Sequence, residues 1–155
     1  DGSSVLQVYW LAAAKSGDAV ENPRQISAYH YPHQYGRVSP RFARATLHPS
    51  GELLISGTAS VVGHSTNHPD CVQDQLNETL INLDTLLHQA QIRRAGSPSQ
   101  FTARALLKVY LRHPQACAAV VETLQARLPA GVQFIVLAAD VCRDDLLIEI
   151  DGLNQ

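Results

Sequence analysis

Glu-Leu-Leu-Ile-Ser-Gly-Thr-Ala-Ser-Val-Val-Gly-His-Ser-Thr-Asn-His-Pro-Asp-Cys-Val-Gln-Asp-Gln-Leu-Asn-Glu-Thr-Leu-Ile-Asn-Leu, residues 52–83, sets the architecture of the chain. Leu53 to Val62 is apolar and β-branched. After a polar turn, apolar residues recur at Val72, Leu76, Leu80, Leu83 and, just beyond the stretch, Leu87. This change of period predicts a strand feeding an amphipathic helix. Pro69 marks the break between turn and helix, and Asp70 is placed to accept from the free N–H groups of the first turn. Glycine inside a strand marks a bulge, a close backbone approach or room for a ligand. Gly57 and Gly63 are such positions, with a helix packed over Gly57 as the plainer alternative.

Working outward, Phe42 to His48 pairs with 52–62 across Pro49-Ser50-Gly51 as a hairpin. The helix runs from 70 to about 90 and is broken by Gly96-Ser97-Pro98-Ser99. Ala103 to Arg112 is the next strand. Pro114 suits the first turn of a second helix over 114–128, with Ala118, Val121, Leu124 and Leu128 on its buried stripe. Strands follow over 132–138, after Gly131, and over 146–151. Val5 to Leu11 reads as a leading strand, and 14–40 as a loop carrying Tyr29-His30-Tyr31-Pro32-His33-Gln34-Tyr35. A loop so long and aromatic fits a lid or binding segment. The order ββαβαββ after the leading strand predicts one α+β domain, a single mixed sheet with two helices on one face.

A chain of 155 residues is enough for one domain with a real core. Apolar residues make up 45% and charged residues 17%, ordinary for a globular protein. A net charge of −2 with no Lys/Arg run argues against a nucleic-acid partner. No apolar stretch approaches the roughly 20 residues that span a bilayer, and no signal peptide is legible, so no membrane partner is expected. Cys71, Cys117 and Cys142 are odd in number and widely spaced, which argues against a disulfide framework and for a reducing, cytoplasmic setting. The chain opens on Asp1 rather than Met, as a trimmed piece of a longer protein would.

The strand period of two then sorts side chains by face. Ala105, Leu107, Val109 and Leu111 share one face; Arg104, Lys108, Tyr110 and Arg112 take the other. Ala43, Ala45 and Leu47 oppose Phe42, Arg44 and Thr46, and Leu146, Ile148 and Ile150 oppose Leu147, Glu149 and Asp151. The face away from the helices therefore carries Arg44, Arg112 and Glu149 beside apolar Phe42, Leu106, Tyr110 and Leu147. An oligomer packing sheets side by side would bury that surface and line a cleft with the charges. A solvated sheet face with scattered charges is the alternative.

Several blocks carry a resemblance: Tyr31-Pro32, Tyr35-Gly36, Ser39-Pro40-Arg41-Phe42-Ala43-Arg44-Ala45, Ser56-Gly57-Thr58-Ala59-Ser60-Val61-Val62-Gly63-His64, Glu78-Thr79-Leu80, Lys108-Val109-Tyr110-Leu111-Arg112 and Cys142-Arg143-Asp144-Asp145-Leu146-Leu147-Ile148-Glu149-Ile150. The hairpin, the helix and the closing strand resemble the Rid/YjgF family, and these blocks resemble the catalytic half of its chorismatase branch over about residues 29–152. The resemblance implies a chorismate-mutase-like fold, a homotrimer with ligand sites between subunits, a small-molecule carboxylate substrate, and no metal or organic cofactor.

It also implies hydrolysis of the enol-pyruvyl ether of chorismate to pyruvate and a hydroxybenzoate or dihydroxycyclohexadiene carboxylate. That cleavage needs a carboxylic acid still protonated near neutrality to protonate the methylene carbon. Glu149, among Leu147, Ile148 and Ile150, suits the task and falls on the family's catalytic glutamate. Cys142 falls on the position that favours the hydroxybenzoate outcome; as a bare feature it reads as a buried thiol. Arg44 and Arg112 are candidate partners for the substrate carboxylates, or interface salt bridges, and Tyr35, Gly57 and Tyr110 complete the expected binding set. His64 and His68 stand ahead of a helix rather than on it and are not expected to hold a metal. The alternative function is a Rid/YjgF-type trimer that binds or deaminates a small metabolite, though the strand at 132–137 lacks the arginine that holds a carboxylate in the deaminases.

Overall fold

The computed structural model of the chain describes residues 12–155; the strand expected over Val5–Leu11 lies outside the described residues. Ten elements follow in order: β1 (Asp18–Val20), β2 (Ala45–Leu47), β3 (Leu53–Ala59), β4 (Val61–Val62), β5 (Ser65–Thr66), α1 (Val72–Arg93), β6 (Leu106–Leu111), α2 (Cys117–Arg127), β7 (Gln133–Ala138) and β8 (Ile148–Asn154). Six strands form one mixed sheet in the order β1-β2-β3-β8-β6-β7, and β4 pairs with β5 beside it. Among the described strands of the main sheet, β6 and β7 are the parallel pair. A crossover is what a parallel pair needs, and α2 supplies it.

The core forms where both helices lie on one face of the sheet. Ala45, Leu47, Ile55, Leu107, Val109, Leu111, Ile148 and Ile150 point inward by the strand period and meet Leu76, Leu83 and Leu87 of α1 and Val120 and Leu124 of α2. The α1 stripe follows the predicted spacing, with Leu76, Leu83 and Leu87 fully enclosed. Truncating any one of them to Ala would cost about 2–5 kcal/mol.

Three expectations are corrected here. The stretch 14–40 is not all loop, because β1 adds an antiparallel edge strand to β2, pairing Val20 with Ala45. The buried stripe of α2 is Cys117, Val120, Leu124 and Leu128 rather than one through Ala118 and Val121. Finally, α1 is capped at Cys71, with no side-chain bond to its first turn. A turn closed by Cys71 N–H donating to His68 O, with His68 at φ +56°, leaves Asp70 ahead of the Cys71 cap position rather than on it.

Candidate active site

The catalytic candidates meet at the end of the sheet where β3 and β8 pair. Glu149 is the second residue of β8, in register with Ala59 on one side and Tyr110 on the other. Between Ile55 and Thr58 the register of β3 slips, so Gly57 sits on a bulge. The Glu149 carboxyl occupies the space over that glycine. A Cβ added at Gly57 would lie 2.7 Å from Glu149 Cδ. Of the meanings open to a glycine in a strand, close approach by a side chain is the one realised. Burial, followed by the nearby Asp151 carboxylate, pushes the Glu149 carboxyl above the usual range and favours its protonated form.

This carboxyl faces a cleft of about 580 Å³ whose walls include Tyr31, Tyr35, Phe42, Arg44, Cys142 and Arg143. Arg44, 5% exposed, donates from Nη2 to Ile26 O at 2.9 Å and to Tyr31 Oη at 2.7 Å. Its guanidinium lies 5.1 Å from the Phe42 ring centroid. Its Nε is buried and has no partner among the described residues. A buried guanidinium with a donor in hand is suited to an anion, since an unbonded buried donor is costly.

Arg143 stacks on Tyr35, with Cζ 4.0 Å from the ring centroid, and donates to His64 O at 2.9 Å. The Tyr35 hydroxyl in turn meets His64 Nδ1 at 3.3 Å. The aromatic loop thus forms one wall of the cleft. Cys142 is an exposed residue at the cleft rim rather than a core thiol. Local burial, then the Glu149 carboxyl, push its thiol up, so at neutral pH it is an S–H group rather than a thiolate.

Glu149, Cys142, Arg44, Tyr35 and Gly57 are brought together. Arg112 and Tyr110 are not. The Arg112 guanidinium donates to Leu146 O (2.9 Å), Val141 O (3.0 Å), Arg143 O (3.0 Å) and Asp140 Oδ1 (2.6 Å), which leaves it no free fork for a substrate carboxylate. Within the chain Arg112 therefore serves as an anchor of the loop ahead of β8. Tyr110 donates to Asp151 Oδ2 at 2.9 Å and accepts from Lys108 Nζ at 2.9 Å, outside the cleft lining. Sequence reasoning passed over Tyr31 and Arg143, although both stand inside quoted blocks. His64 meets Tyr35, whereas His68 Nε2 lies 3.7 Å from Glu78, so the two imidazoles serve different neighbours.

Two buried amides of α1 tie the site to the core. Asn82 donates to Ala59 O and Val61 O, both at 3.0 Å, and accepts from Arg24, which also pairs with Glu78. Gln75 reaches the loop ahead of β8. Polar residues in the buried half of a helix are tolerable because every one of these bonds goes to a backbone or charged partner.

No family model matches the chain. It is similar to the 3-hydroxybenzoate synthase of Streptomyces hygroscopicus, with 39% identity over 156 residues, which cover 94% of this chain and 46% of that protein. The crystal structure of a chorismatase superposes with a TM-score of 0.80 at 36% identity, covering 93% of this chain and 44% of that one. A Rid-family protein from Yersinia pestis shares the fold, with a TM-score of 0.64 at 15% identity over 90% of this chain and 98% of that one. The chain spans about half the length of the curated relatives it matches. By sequence and by fold together, it is a chorismatase-like domain built on the Rid/YjgF fold.

Proposed function

We propose that this domain cleaves the enol-pyruvyl ether of chorismate. The observation that carries the reading is a buried carboxyl, pushed above the usual carboxylate range by burial and then by Asp151, in the same cleft as two guanidiniums. Glu149 gives its proton to the methylene carbon, and the electron pair of that double bond forms the new C–H bond. The resulting oxocarbenium centre is then resolved in one of two ways. Water adds to it and the hemiketal collapses to pyruvate and a dihydroxycyclohexadiene carboxylate, or the ring rearranges and expels pyruvate, leaving a hydroxybenzoate without net uptake of water. Arg44 and Arg143 face the two substrate carboxylates, and Tyr31 and Tyr35 flank the ring. Cys142, at the rim, bears on which route is taken.

Incubation with chorismate, scored for pyruvate and for aromatic against diene product, tests the proposal. Pyruvate release that tracks protein concentration is the expected result. No release above the uncatalysed background would leave a ligand-binding domain.

We infer further that the sheet face away from the helices is covered in a homotrimer. Leu106 is 48%, Ile135 54% and Leu137 37% exposed on or beside that face, a concentration of apolar surface that a lone subunit would leave in water. Sedimentation equilibrium is expected to give three times the 16.9 kDa chain mass, and a single chain mass would refute the trimer. Among the described residues, no helix is long and apolar enough to cross a membrane. The free thiols of Cys71, Cys117 and Cys142 support a reducing, cytoplasmic location.

A further inference from the structure

The segment 140–147 between β7 and β8 carries Cys142 and Arg143 into the cleft and delivers the strand that bears Glu149. It has almost no hydrogen bonds of its own: Leu146 N–H donating to Arg143 O is the one internal bond among its backbone bonds. Its Arg143 and Asp145 side chains bond to His64 O and Thr66 Oγ1, and its backbone is held by two side chains from outside the segment, Gln75 and Arg112.

From the helix layer, Gln75 is fully buried and uses both ends of its amide. Its Nε2 donates to Asp145 O at 2.7 Å, and its Oε1 accepts from Leu147 N–H at 2.7 Å. At the end of β6, Arg112 takes the carbonyls of Val141, Arg143 and Leu146, and its own N–H donates to Leu147 O at 3.0 Å. The carbonyls of 141, 143, 145 and 146 and the N–H of 147 are thus all bonded to these two side chains. A backbone bonded at this density is held in one conformation. The ion pair of Arg112 with Asp140 adds little, because Asp140 is almost wholly exposed.

We infer that Gln75 and Arg112 are positioning residues that form a two-sided latch on this loop and fix Cys142 and Arg143 relative to Glu149. Neither residue is among those that line the cleft; Gln75 bonds the backbone on either side of Leu146 and Arg112 bonds Leu146 O and Arg143 O, so they act through the loop. The inference rests on the proposed cleavage only for its catalytic readout.

The test uses Gln75→Leu, Arg112→Met and the milder Arg112→Lys, with Asp140→Asn as the control that loses only the exposed pair. In substrate-free protein, alkylation by iodoacetamide is followed at each cysteine by peptide mass spectrometry. Although Cys142 as a whole is exposed, its thiol is held up by local desolvation and then by the Glu149 carboxyl; a released loop relieves both, so alkylation there should rise roughly threefold or more, since reactivity follows the thiolate fraction and access. Cys71 and Cys117, which lie on or beside the helices, should not change. Arg112→Lys should fall between wild type and Arg112→Met, and Asp140→Asn should match wild type.

With chorismate, kcat should fall and the ratio of hydroxybenzoate to diene should shift, while a merely structural role would leave the ratio unmoved. Equal change at all three cysteines, or no change at Cys142, overturns the latch. If wild type releases no pyruvate, the alkylation result still stands or falls alone, so failure of the cleavage reading and failure of the latch are told apart.

Discussion

Replacing Glu149 by Gln is expected to lower chorismate turnover by about 10²–10⁴ with little change in KM, because the amide keeps the size of the carboxyl but has no proton to give. The fold should tolerate the change. The Glu149 carboxyl is raised by burial and by Asp151, so the folded state holds this proton more tightly than the unfolded chain does. An acid raised in this way contributes its full stability below its ordinary carboxyl value and loses it as pH rises through the folded value. At neutral pH the Gln variant should therefore melt at the same temperature as wild type or higher, and the difference should close as the pH falls below the ordinary carboxyl range. Thermal melts across that pH series, set beside pyruvate release, check both halves. Retained turnover together with a large loss of stability would make Glu149 a structural residue and remove the mechanism.

The second large effect is expected at Gly57. The glycine is not in the left-handed region, so the penalty for a side chain there is steric rather than conformational. A methyl group would meet the Glu149 carboxyl at less than contact distance and push it off its seat on the bulge. Gly57→Ala should then cost turnover on the scale of Glu149→Gln and about 1–3 kcal/mol of stability, as overpacking does. In a Glu149→Ala background the obstructing carboxyl is gone, so the same substitution should cost far less. Denaturant midpoints for the four proteins complete the cycle. An equal stability loss in both backgrounds would show that Gly57 is required by something other than the glutamate.

Much of this was legible in the chain itself, for reasons that are local. The period of two in 106–111 and 148–151 placed Leu107, Val109, Ile148 and Ile150 inward and Glu149 outward without reference to any other segment. The spacing of Leu76, Leu80, Leu83 and Leu87 did the same for α1. A glycine interrupting a β-branched run marked the bulge at which the Glu149 carboxyl comes to rest.

Parity, however, assigns a side chain to a face and says nothing of its reach. Arg112 stands at the end of β6, where the sheet stops, and its long side chain turns toward carbonyls of the 140–147 segment that are over 28 residues distant in sequence. Arg143 lies in that same segment, where no repeating period exists, so nothing in its neighbourhood announced a stacking partner in Tyr35. The three residues of β1 are too few to show alternation, and the alanine-rich start of α2 admits more than one stripe. Which guanidinium enters the cleft and which one builds its wall is set by the distances between β6, β8 and the aromatic loop, and those exist only once the chain is folded.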